Sequence, residues 1–290
     1  MINMRNRSDL IRFLPSYVGS KRMWVPYLQE FSGRPIVELF AGSAVLSANL
    51  ASKALIVDYD PIVAKVLQRF DEQIVPEVFT RDDYYHYRSV DNWWQYLYCL
   101  QSMSYSGVFR YSKNGYNVPA KGGSDISKNK VNEFYNRPSY EKALERWKEL
   151  SPDVRNCSYI DITDDEIAAL GDDVLVILDP PYGDGEEQKS QAAYNDTASQ
   201  QKKGEGFDFD EYWARAKELT QKFDVIIFDR KYNLERNGYH IDAVRKMRVN
   251  GARPGDVEAM SVQLKDNKHF GSGSDLFDLF SDSDEPIVVE

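Results

Sequence analysis

The stretch Val174-Leu-Val-Ile-Leu-Asp179-Pro180-Pro181-Tyr182 constrains the fold more than any other. Five apolar residues in a row, β-branched or Leu, predict a fully buried strand. Asp179 stands where that strand ends, because the two prolines that follow cannot donate to a ladder. In an open α/β sheet, ligands collect outside the carboxyl ends of the strands. A carboxylate, two rigid carbonyls and an aromatic ring are therefore held together where such folds do chemistry.

That set suits methylation of an exocyclic amine on a nucleobase. Such an amine is a poor nucleophile, because its lone pair is delocalised into the ring. Asp179 and the carbonyl of Pro180 can accept its two N–H bonds and draw the nitrogen toward tetrahedral geometry. Pro180 and Pro181 fix these acceptors beforehand, so little reorganisation remains. Tyr182 offers a face for stacking the base. A buried strand ending in a Pro-Pro turn with a solvated Asp reads these four residues equally well.

The upstream sequence bears on that choice. Tyr17-Val-Gly19-Ser20-Lys21 is a glycine turn leading into a helical stretch, Met23 to Phe31, and suits an anionic or carboxylate group. Pro35-Ile-Val-Glu38-Leu39-Phe40-Ala41-Gly42-Ser43-Ala44 reads as a strand and a small-residue turn that lets a ligand approach the backbone, with a helix from Val45 to Ser52. A second strand, Ala54 to Val57, ends at Asp58, and an acid there suits a ribose diol. The unit predicts a nucleoside-cofactor site; a plain βαβ unit with a capping Asp is the alternative.

The net charge of −10 argues against a general nucleic-acid coat, but six of the acids lie in the last twenty residues. Basic residues gather at Arg5, Arg7 and Arg12, between Arg110 and Arg137, and at Arg245, Lys246, Arg248 and Arg253. Such local patches decide whether a groove can follow phosphates. Residues 62–104 read as helical, with Tyr84, Trp93, Trp94 and Tyr98 assigned to core and interface rather than to base stacking. In the polar stretch 105–139, Arg110, Asn114, Tyr116 and Asn117 lie on a loop whose residue types touch phosphates and base edges; a polar linker is the alternative. Ser158 to Asp161 reads as a short strand before a helix capped by Thr163. Gly183 to Gly206 is polar enough to be a lid. Another buried strand follows at Asp224–Asp229, and residues 239–265 read as a strand-turn-strand carrying the second basic patch.

No run of about eighteen apolar residues occurs, so no transmembrane helix is expected, and the N-terminus lacks the apolar core of a signal peptide. Cys99 and Cys157 stand far apart without metal-ligand spacing, which predicts no metal and a reducing, cytoplasmic setting.

In this order, the motifs resemble the Dam-like class of adenine-specific DNA methyltransferases over about residues 10–265. The resemblance rests on Asp179-Pro180-Pro181-Tyr182, on Glu38-Leu-Phe40-Ala-Gly42, and on Gly115-Tyr116-Asn117-Val118-Pro119, which is similar to that family's Gly-x-Phe-Asn-Val-Pro. It implies a Rossmann-like α/β sheet of seven mostly parallel strands (residues 1–80 and 151–265) and a small helical target-recognition insert (81–150); the acidic, Ser/Asp/Gly-rich residues 266–290 read from composition as a disordered tail foreign to the family's core. The resemblance also implies S-adenosylmethionine as cofactor, double-stranded DNA as partner, and a prokaryotic or phage-infected cell as the setting of DNA methylation or restriction-modification. Tyr17, Lys21, Glu38, Phe40, Ala41, Gly42, Asp58, Asp161 and Asp179 then become cofactor-site residues, and Asp179, Pro180, Pro181 and Tyr182 the flipped-base site. Arg110, Asn114, Tyr116 and Asn117 become DNA contacts. The chain departs from the family pattern at Ala44, where Gly is common, and at the acidic Gly183-Asp-Gly-Glu-Glu. In the tail, Leu276-Phe277-Asp278-Leu279-Phe280 is similar to peptides that bind bacterial sliding clamps, which implies a protein partner. An amphipathic end that packs on its own domain or competes for the basic groove is the alternative.

Overall fold

The structure is a computed structural model that describes residues 10–11, 19–104, 109–112, 115–117, 137–181, 207–246, 257–265 and 287–288. Strands β1 (Pro35–Glu38), β2 (Lys53–Val57), β5 (Asp153–Arg155), β6 (Leu175–Leu178), β7 (Asp224–Arg230), β8 (Ala243–Lys246), β9 (Val257–Gln263) and β10 (Ile287–Val288) form one sheet in the order β10-β8-β9-β7-β6-β1-β2-β5. From β5 to β7 every pairing is parallel; β9, β8 and β10 add antiparallel. The chain runs outward from β1 to β2 and β5, then returns to the other side of β1 as β6 and β7. The β1/β6 junction is thus the topological switch point, where an open α/β sheet places its ligand crevice.

Strand parity explains why these segments are apolar throughout. Leu175 and Ile177 of β6 join Ile36, Ile56, Ile226 and Phe228 in a core on one face. Val176 and Leu178 join Val37, Val57, Val225 and Ile227 on the other. A strand covered on both faces has no polar side, so the run Val174 to Leu178 carries none. Truncating one of these side chains, as in Ile177→Ala, costs about 2–5 kcal/mol.

Local signals set the helix starts. Asp60 caps the helix Pro61–Gln68 by accepting from the Ile62 and Val63 amides, with Pro61 in the first turn, where a missing N–H costs nothing. Thr80 with Asp83, and Thr163 with Glu166, form capping boxes. The helical stretch expected at Met23–Phe31 is present as a 3-10 segment, Lys21–Phe31, that breaks at Leu28, with Pro26 inside it. Two expectations need correction. Ser158–Asp161 is no strand: Tyr159–Asp161 makes one 3-10 turn, because the Asp161 carboxylate folds back onto the Ser158 amide. The edge strand is instead Asp153–Arg155. The tail is not wholly without structure either, since Ile287–Val288 pairs with Ala243–Val244.

Within the insert, Tyr111–Ser112 (β3) and Gly115–Tyr116 (β4) form a small antiparallel hairpin. It is clamped to the helix Arg81–Tyr87: the Tyr116 amide donates to the Arg88 carbonyl, and Arg88 Nε donates to the carbonyls of Tyr116 and Asn117. Gly115 has φ +97, and a Cβ there would stand 2.1 Å from the Arg88 oxygen. Only glycine fits both the backbone conformation and that approach. The helix Arg137–Leu150 lies against the sheet body, with Arg146 donating to the carbonyls of Ala48 and Ala51, and Trp147 Nε1 to that of Leu67.

Candidate active site

The ends of β1 and β2 build one half of the switch point. Where β1 stops, the chain turns through Phe40, Ala41 and Gly42, with Ala41 N–H bonded to the Val57 carbonyl at 2.9 Å. Gly42 (φ 49) and Ala44 (φ 50) are both left-handed. Glu38 is buried and accepts the Ser47 amide at 2.5 Å, which anchors the helix Val45–Leu50 behind the turn. Asp58, at the end of β2, uses both oxygens on backbone: Oδ2 accepts Gly42 N–H at 2.7 Å and Oδ1 accepts Asp60 N–H at 2.9 Å. Burial pushes Glu38 up to about 7, against the Ser47 hydrogen bonds, and Asp58 upward for the same first reason. Asn156 Nδ2 holds the carbonyls of Asp58 and Tyr59, and the Tyr59 ring is 57% exposed. Phe40 packs against Tyr159 (4.9 Å), Tyr212 (5.7 Å) and Phe207 (5.8 Å).

The ends of β6, β7 and β9 build the other half. Asp179 follows β6 directly and remains 23% exposed, while Pro180 is buried and Pro181 exposed. The Lys21 ammonium, only 5% exposed, sits 2.6 Å from Asp179 Oδ2. It also lies 3.2 Å from Glu258 Oε1 and donates to the Gly19 carbonyl at 2.7 Å. Glu258 Oε2 accepts Trp24 Nε1–H at 2.8 Å. Phe228 lies beneath, 5.5 Å from the Lys21 nitrogen. At the end of β7, buried Asp229 accepts Arg230 N–H and Asn233 Nδ2–H on Oδ1, while Oδ2 has no hydrogen-bond partner. Burial first, and the nearby Asp179 charge second, push Asp229 up to about 7.

The sequence-predicted residues fall into three sets. Lys21, Glu38, Phe40, Ala41, Gly42, Asp58 and Asp179 surround the switch point, and Glu38, Lys21 and Asp179 are close enough to feel one another's charge. Asp161 is exposed beside Tyr159, its Oδ2 accepting the Ser158 amide. The insert residues divide. Arg110 is exposed, but Tyr116 is fully buried and stacked on Trp93 at 5.3 Å, which leaves no face for a base. Asn117 is buried, its carbonyl accepting from Tyr84 and Arg88. In the fold the Tyr116 ring packs inside the hairpin's core and the Asn117 main chain ties the hairpin to its neighbours, so neither is placed as an exposed contact. Tyr17, Asn114, Tyr182, the 183–206 stretch and the Leu276–Phe280 peptide lie outside the described residues. Glu258, Trp24 and Asp229 were not anticipated as parts of the site, because their partners are brought together only by the fold.

This arrangement can hold a carboxylate in a defined orientation beside a small-residue turn, with that carboxylate partly open to solvent. No curated protein sequence matches the chain. No helix among the described residues is long and apolar enough to cross a membrane. The model of the D12 class N6 adenine-specific DNA methyltransferases matches residues 17–246, from just before Lys21 to the end of β8. The chain therefore belongs to the D12 class of N6 adenine-specific DNA methyltransferases, S-adenosylmethionine-dependent enzymes acting on DNA.

Proposed function

We propose that the chain methylates the N6 amine of an adenine flipped out of double-stranded DNA at a specific sequence, with Asp179 as the amine acceptor. The observation that carries this reading is Asp179 itself. It stands at the carboxyl end of β6, at the switch point, with Lys21 on one oxygen and part of the side chain open to solvent.

The residues present fit the cofactor. The turn Ala41–Gly42–Ser43 has no bulky side chain, Asp58 and Asp60 supply carboxylates, and the exposed Tyr59 ring offers a stacking surface. Tyr159 adds a buried aromatic ring beside Phe40. Phe40, Ala41 and Gly42 would line the methionine end, Asp58 the ribose and Asp161 the adenine side, with Glu38 and Lys21 supporting from behind. When bound, S-adenosylmethionine supplies an electrophilic methyl group on a sulfonium.

The protein's part is orientation and charge. Flipping an adenine costs a few kcal/mol, least where pairing is already weak. Asp179 and the Pro180 carbonyl accept the two amine hydrogens, and Tyr182 stacks the ring. The nitrogen becomes cationic only once it is alkylated. Its proton then leaves from a strongly acidic group, so the acceptor needs no raised basicity. Arg110, with Asn114 close behind it in the sequence, would contact the duplex.

The test is methyl transfer to unmethylated duplex DNA, with the digested nucleosides identified by mass spectrometry. N6-methyladenine is expected, and Asp179→Ala lowers its rate about a hundredfold or more, the scale of losing a preorganised polar group, while cofactor binding survives. Near-normal turnover in that variant overturns the amine-acceptor role. Methylated cytosine, or transfer only to RNA, overturns the substrate.

A further inference from the structure

We infer that Glu258 is a positioning residue for methyl transfer, acting on Asp179 through a buried Lys21 whose ammonium the two carboxylates share. The inference rests on the flipped-adenine reading above and extends it to a side chain outside the tetrad.

The geometry is a tripod. An ammonium has three donors in tetrahedral directions, and among the described residues three oxygens stand around Lys21: Gly19 O at 2.7 Å, Asp179 Oδ2 at 2.6 Å and Glu258 Oε1 at 3.2 Å. A lysine on a flexible four-carbon stem does not by itself fix where its charge sits. Here the Gly19 carbonyl and Glu258 fix it from behind, so the direction from which Asp179 receives its N–H is set. Glu258 is in turn held, because its second oxygen accepts the Trp24 indole N–H at 2.8 Å and Arg245 stands 3.6 Å away. Trp24 is fully buried and packed against Phe228 at 5.4 Å, so its N–H cannot swing away. Three elements that meet only in the fold, the 3-10 segment, β6 and β9, are tied together by one buried charge network.

Its consequence for the reaction is specific. Without the Glu258 charge, the ammonium loses the competitor that holds it back and settles wholly on Asp179. That carboxylate is then a weaker acceptor for the adenine amine and is free to rotate with the lysine. Neither change touches the glycine turn or Asp58, so the loss falls on the transfer step rather than on cofactor affinity. A burial cost alone predicts the opposite, with stability and both binding steps weakening together. Glu258→Gln separates the two, because its amide oxygen still accepts the Trp24 N–H while the attraction for the ammonium is gone.

The experiment measures single-turnover methyl transfer to duplex DNA, dissociation constants for S-adenosylmethionine and DNA, and thermal midpoints, for the wild type, Glu258→Gln and Trp24→Phe. The expected result is a transfer rate at least about tenfold lower for Glu258→Gln, roughly the effect of losing one charge-assisted hydrogen bond. Both dissociation constants stay within about twofold. Trp24→Phe keeps an aromatic ring beside Phe228, at some loss of packing volume, but frees Glu258, and lowers the rate by a smaller factor. If Glu258→Gln fails to fold, Trp24→Phe decides: a slower rate with cofactor binding intact supports the inference, and a wild-type rate overturns it. A folded Glu258→Gln with the wild-type rate, or with cofactor binding lost in proportion to rate, overturns the inference alone. A wild-type chain that makes no N6-methyladenine overturns the flipped-adenine reading and this inference with it.

Discussion

The two halves of the switch point use carboxylates in different ways. Beside the glycine turn, Glu38 and Asp58 accept backbone amides of Ser47, Gly42 and Asp60, and their effect is to hold main chain in place. Across the crevice, Asp179 and Glu258 converge on the Lys21 ammonium, and their effect is to hold a charge. An amide partner is rigid and neutral, so the first half behaves as architecture. An ammonium is mobile and shared, so the second half can respond when an amine arrives. The contrast suits a cofactor bound in a fixed pose and a substrate that must enter from a duplex, and it can be broken by substitution.

The strongest test is Lys21→Met. The change keeps the apolar stem but leaves Asp179 and Glu258 as neighbouring carboxylates with no cation between them. Breaking a largely buried pair in this way costs about 3–5 kcal/mol, read as a lower urea midpoint, and transfer falls with it. Binding of S-adenosylmethionine to the folded fraction is expected to change less than transfer. If instead cofactor binding collapses while stability holds, Lys21 belongs functionally with the glycine turn and the division is wrong.

Next in size is Asp58→Asn. An Asn side chain has one acceptor oxygen, so either Gly42 N–H or Asp60 N–H faces an NH2 group. Leaving one such donor unmatched costs about 1–3 kcal/mol. The expected readout is a dissociation constant for S-adenosylmethionine about tenfold higher, one factor of ten being about 1.4 kcal/mol. The transfer rate at saturating cofactor remains close to wild type. A matching fall in that rate would show that the two halves are not separable.

The same contrast explains what was legible in the sequence. Strands β1, β2, β6 and β7 were visible as apolar runs, and Asp179 was placed by the two prolines after it, because these signals are local. Asp58 was read correctly as the acid after the second strand, but not as the partner of Gly42, since that bond needs the turn to fold over it. Tyr116 was misread because its motif is judged by residue type, whereas its burial depends on Trp93 arriving from another helix. Ser158–Asp161 was misread because an apolar pair followed by an acid suits a strand, while the capping bond to Ser158 outweighed it. Glu258 had no local signature: one acid in an alternating strand reads as a solvent-facing position until Trp24 and Lys21 are packed against it.

Burial pushes three of these acids up to about 7, Glu38 and Asp58 beside the glycine turn and Asp229 across the crevice. The ordinary values are 4.5 and 3.8, so between about pH 4 and 7 the folded state binds more protons than the unfolded state. Stability therefore falls as pH rises through that window and levels off above about 7. Asp229→Asn stays neutral throughout and keeps an oxygen for the Arg230 and Asn233 donors. Its thermal midpoint should exceed the wild type by a margin that grows as pH rises from about 4 to about 7 and reaches a few degrees at pH 8, the scale expected of about one to two kcal/mol in a chain this long. An unchanged difference across pH would mean that Asp229 is charged in the fold, held so by Arg230, and that the catalytic half contains more fixed charge than the comparison assigns to it.

The smallest effect is expected at Ala44, where the chain departs from the family pattern. Its φ of 50 and ψ of 28 are left-handed, and the residue is fully buried. An L-residue there costs about 1–2 kcal/mol relative to the right-handed form. Ala44→Gly removes that strain, but glycine gives up roughly 0.5–1 kcal/mol of chain entropy and the buried methyl contributes about 0.8 kcal/mol. The three contributions nearly cancel, so chemical denaturation should place the variant within about 0.5 kcal/mol of wild type, below the usual single-mutation effect. Asp58 continues to hold Gly42, and cofactor affinity is expected to stay within about twofold. A markedly tighter cofactor complex in the variant would mean that the Ala44 methyl holds the turn away from its bound conformation. The glycine turn would then be a strained element rather than a preset one, and the rigid half of the comparison would lose its rigidity at the residue next to the helix it anchors.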